Sequence, residues 1–157
     1  SYAEAEKASK SCSGFTNHAF PRCFVCGPQR APADGMRIFP GVIEARSLVA
    51  APWIPDRSLA GGSRDVDAAF IWSALDCSGG FSVLPVPEGK AILLGELCAR
   101  IDGAVAPGER CVVVGWSLGI DGRKRLAGSA VYSEAGEPVA VARATWIEVP
   151  RSAFGGV

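Results

Sequence analysis

The segment Asp67–Gly80 (DAAFIWSALDCSGG) constrains the fold most, because it reads as a helix apolar on every side, with one carboxylate, Asp76, in its last turn. A helix apolar all round belongs in a core. An ionised carboxyl there is destabilising unless a partner or a task offsets it, which makes Asp76 the first candidate for chemistry. Asp67 suits the N-cap and Gly79–Gly80 the stop, so the predicted helix is short, about 11–13 residues.

The segments after this helix read as sheet. Ala91–Ile101, Arg110–Ile120, Lys124–Ser133 and Pro138–Val149 are strand-like runs separated by turn signals at Asp102–Gly108, Asp121–Gly122 and Glu134–Gly136. In the last run, Ala140, Ala142, Ala144 and Trp146 share one face, and a row of small residues lets a helix approach the sheet closely. Before the helix, Met36–Ile54 reads as one or two extended segments broken at Pro40–Gly41 and Pro52, as at a sheet edge. One central helix followed by antiparallel strands predicts an α+β layer in which a curved sheet wraps the helix.

The 157 residues suffice for one domain with a sizeable core. The predicted organisation is an irregular arm over 1–35, a single domain over 36–150 and a tail over 151–157. Lys and Arg total 16, as do Asp and Glu, so no net charge favours nucleic acid or an anionic membrane. No apolar run is long enough to span a bilayer, and Ser1–Lys10 lacks the apolar stretch of a secretory signal; a soluble, cytoplasmic protein is expected.

Six cysteines are scattered through the chain as expected reduced thiols: Cys12, Cys23, Cys26, Cys77, Cys98 and Cys111. Cys23–Phe24–Val25–Cys26 is a Cys-x-x-Cys motif, and a zinc bound here would take Cys12, His18, Cys23 and Cys26 as its four ligands. No second Cys-x-x-Cys is present, so the expectation is an arm packed by small apolar thiols, with no metal and no cofactor. His18, the only histidine, lies in this arm, where it suits an exposed or capping role better than a catalytic triad.

The segment AAFIWSALDCSGG, the strand ILLGELCARIDGAVAPGE and the closing AGSAVYSEAGEPVAVARATWIEV together resemble the hotdog superfamily, specifically the acyl-CoA thioesterases of the phenylacetate-pathway type. The resemblance covers roughly residues 35–149. It implies hydrolysis of an acyl-CoA thioester, with Asp76 as general base or nucleophile. Asp67–Ala68–Ala69 stands where a His–Gly–Gly triplet is common in the family, which assigns the oxyanion donors to the backbone of Ala69 and Phe70. The Gly61–Gly62 pair lies farther upstream, preceded by Ala60.

Ser73 lies three residues before Asp76 on the same helix edge and is placed to bond its carboxylate or a water. The basic tip Arg123–Lys124–Arg125 is a candidate grip for coenzyme A phosphates, and Trp72 a candidate acyl contact. Free sheet edges and the family's shared site imply a homodimer or a dimer of dimers. The alternative is a non-catalytic hotdog protein that binds an acyl or aromatic ligand.

Overall fold

The computed structural model describes residues 1–154. Its centre is α2, Ala68–Ser82, enclosed by a single antiparallel sheet. The strands are β1 (Gly41–Ile43), β2 (Leu48–Trp53), β3 (Lys90–Ile101), β4 (Cys111–Asp121), β5 (Lys124–Tyr132) and β6 (Pro138–Pro150), in the order β1-β2-β4-β5-β6-β3. The expected curved sheet around a central helix is what forms.

The alanine row of β6 explains how the helix seats. Ala140, Ala142 and Ala144 are buried, and a Cβ added at Gly79 would lie 3.6 Å from Ala127 on β5 and 3.9 Å from Ala144. Across the sheet, β4 meets the helix at Gly115, where an added Cβ would come within 2.0 Å of the Ser78 carbonyl oxygen. Only glycine permits that approach. Ile71, Ala74 and Leu75 on the helix join Trp53, Val113 and Val131 from the strands in the main core.

Two local expectations change. The helix does not stop at Gly79–Gly80 but continues to Ser82, because this pair is a packing surface: a Cβ at Gly80 would meet the Trp146 ring at 2.8 Å. The N-terminal arm is not wholly irregular. Tyr2–Ser9 forms a helix, α1, opened by a capping box between Ser1 and Glu4. It buries Ala5 and Ala8 against β1 and β2, while the Arg110 guanidinium lies 4.2 Å from the Tyr2 ring centroid. The expected tail opens with a 3-10 turn, Arg151–Phe154, and residues 155–157 lie outside the described part.

Candidate active site

One face of α2 borders a cavity of about 910 Å³. Asp76, Cys77, Gly80 and Phe81 line it from the helix, spaced so that they share one side. The arm contributes His18, Phe20, Cys23 and Cys26, and the segment from Leu84 to Leu94 supplies the facing wall with Trp146. The volume lies in the range of small-molecule sites, and the mostly apolar lining with few polar groups matches their usual chemistry.

Asp76 is the carboxylate in that wall. Its Oδ1 is buried, and no donor among the described residues reaches it. Burial raises its pKa to about 6, and the nearby charge of Cys23 adds to the shift. An acceptor held this way destabilises the fold by about 1–3 kcal/mol or more, so it marks a position kept for something other than packing.

Beside Asp76 lies a chain of sulfur contacts. Cys26 Sγ is 3.2 Å from Cys77 Sγ, and Cys23 Sγ is 3.7 Å from Cys77 Sγ. His18 Nε2 lies 3.3 Å from Cys26 Sγ, and its Nδ1 accepts from the Phe20 N–H at 3.0 Å. That second bond assigns the proton of the neutral ring to Nε2, which therefore donates to sulfur. Burial lowers the His18 pKa, favouring this neutral form. Hydrogen bonding with the Cys26 and Cys77 thiols lowers the pKa of Cys23, while bonding to Cys23 raises those of Cys26 and Cys77. Among the described residues, the thiols that converge are Cys23, Cys26 and Cys77. Cys12, adjacent in sequence, is not in that group, whereas Cys77 is 51 residues beyond Cys26.

The other anticipated residues are dispersed. Ser73 donates to the Ala69 carbonyl at 2.8 Å and does not bond Asp76. The Ala69 N–H donates to Asp67 Oδ1 at 2.8 Å and the Phe70 N–H to Asp67 O at 3.0 Å, so the N-cap residue occupies both amides. Neither residue lines the cavity, and nor does the half-exposed Trp72.

Arg125 has a structural assignment. It pairs with Glu148 at 2.5 Å and donates to the carbonyls of Val83 and Pro85, tying the end of α2 to the sheet. Arg123 and Lys124 are exposed at the β4–β5 turn. Two cationic residues that sequence patterning did not single out, Lys90 and Arg151, border the cavity. Arg151 is committed to the Lys90 carbonyl and Asn17. Both positions depend on how the ends of β3 and β6 pair, Lys90 opposite Pro150, for which a single sequence carries no signal.

No family model matches the chain, and no curated protein matches it in sequence. Solved structures do resemble it. A thioesterase from Haemophilus influenzae superposes with a TM-score of 0.67 at 12% identity, covering 80% of this chain and 86% of that one. A thioesterase-superfamily member from Thermus thermophilus gives 0.63 at 18% identity, over 68% and 84%. A Streptococcus mutans protein bound to acetyl-CoA gives 0.59 at 12% identity, over 66% and 82%. The architecture they share with this chain is the hotdog fold.

Proposed function

We propose that this chain hydrolyses an acyl-CoA thioester, with Asp76 as general base. The observation that carries this reading is a buried carboxylate oxygen without a protein donor, set in the wall of a largely apolar cavity on the central helix. In the reaction, Asp76 takes a proton from water as the oxygen adds to the thioester carbonyl. The carbon–sulfur bond then breaks, and the departing coenzyme A thiolate receives that proton. The architecture shared with thioesterase-superfamily proteins, one of them bound to acetyl-CoA, supports the substrate class.

Phe20, Phe81 and Trp146 in the lining suit an aromatic acyl group, in keeping with the phenylacetate-pathway type. Lys124 and Leu93 both pair with Ile147 from opposite sides, so Lys124 and Arg123 sit at the same end of the sheet as Lys90. These three cations form the proposed grip for coenzyme A phosphates. Reversing the charge of Arg123 and Lys124 is expected to raise KM for acyl-CoA while leaving that for an acyl-pantetheine analogue nearly unchanged.

A second reading, a non-catalytic binder of an acyl or aromatic ligand, is favoured by Asp67 holding both amides assigned to the oxyanion. A panel of acyl-CoA esters with optical detection of free thiol separates the two. Turnover of aryl-acyl esters is expected, whereas saturable binding without thiol release would favour the binder.

A further inference from the structure

Three thiols from two remote parts of the chain converge where the proposed hydrolysis makes no use of them. Their sulfurs all lie within 4.8 Å of one another. Packing alone asks for no such meeting of sulfur on sulfur, since a thiol is a weak donor and a weak acceptor. We propose that Cys23, Cys26 and Cys77 bind one zinc ion as thiolates and leave its fourth coordination position on the cavity side.

The separations fit. Sulfurs about 2.3 Å from a tetrahedral zinc stand about 3.8 Å apart, so contacts of 3.2 and 3.7 Å need only a small outward adjustment. The Cys-x-x-Cys segment is already wound into a tight knuckle. The Gly27 N–H bonds the Cys23 carbonyl at 2.9 Å, and a Cβ at Gly27 would lie 2.5 Å from the Cys23 backbone. His18 Nε2–H bonds Cys26 Sγ at 3.3 Å. Donors directed at sulfur suit thiolates better than thiols.

His18 stands outside the ligand set, because the Phe20 N–H holds Nδ1 and keeps the proton on Nε2. It orients Cys26, as outer partners of metal ligands commonly do. Zinc binding releases the three thiol protons to solvent and leaves a site of one net negative charge. All three cysteines line the cavity together with Asp76, the neighbour of Cys77. The metal would fasten the arm, through Cys23 and Cys26, to α2 through Cys77.

The test is metal analysis of the untagged full-length chain, purified under reducing conditions, with and without added Zn2+, followed by Co2+ substitution. About one zinc per chain is expected, and a cobalt spectrum with thiolate charge-transfer and four-coordinate bands. Cys23→Ser and Cys77→Ser are each expected to lower zinc content roughly tenfold or more, whereas Cys12→Ser and Cys98→Ser retain it. Circular dichroism of each variant separates a lost ligand from a lost fold, and reconstitution of the unaltered chain needs no variant at all. Less than about a tenth of an equivalent after exposure to Zn2+, or zinc retained in Cys77→Ser, overturns the site. The metal assay stands independently of any turnover.

Discussion

At Asp76 a carboxylate oxygen lies in an apolar wall with no donor among the described residues, so its charge lowers the stability of the unliganded fold. Replacing it with the neutral isostere should relieve that strain. Asp76→Asn is expected to raise unfolding stability by about 1 kcal/mol in urea titration; a loss instead would mean that the carboxylate holds the fold together. Arg125 behaves oppositely, because its partner Glu148 is only 15% exposed and would be left unpaired. Arg125→Met is expected to cost about 2–4 kcal/mol by the same measurement, and an effect below about 0.5 kcal/mol would contradict the assignment. Asp76 was legible in the sequence because it stands alone on an apolar cylinder. Arg125 was not, because three adjacent basic residues look alike until β5 turns one of them toward the carbonyls at the end of α2.

Helix α2 and the strands beneath it make contact through backbone, not only side chains. Gly115→Ala would drive a methyl group into the Ser78 carbonyl, displacing the helix from β4. An overpacking loss of about 1–3 kcal/mol is expected in thermal or urea unfolding, and a neutral result would contradict the close seating of the helix. The elements with strong period, β3 to β6 and α2, were legible in their residues because periodicity reports which face is buried. Glycines within an element mislead at the same level: Gly79–Gly80 carries the signal of a helix stop, yet the packing of Trp146 against it lets the helix run on. Helix α1 escaped the same reading because its buried face consists of two alanines, too little apolar signal in a polar segment. The thiol cluster was half visible, since Cys-x-x-Cys is a local pattern, whereas Cys77 arrives only through tertiary folding.

Across the whole molecule, the sheet ends on β1 at one side and on the twelve-residue β3 at the other. The long edge at β3 carries half-exposed Leu93 and Leu94 that also line the cavity. An open edge of that length, with apolar side chains, pairs with another chain unless it is blocked. We therefore expect a homodimer: light scattering should give twice the 16.3 kDa chain mass, and Leu94→Glu should shift it toward monomer. A single 16.3 kDa species at all concentrations would contradict pairing through this edge. Thioester hydrolysis by Asp76 is tested by comparing kcat/KM for an aryl-acyl-CoA in the unaltered chain and in Asp76→Ala, read as thiol release. Turnover is expected in the former and a loss of at least roughly 100-fold in the latter, with an unchanged circular dichroism spectrum. Equal turnover in the two proteins would contradict it.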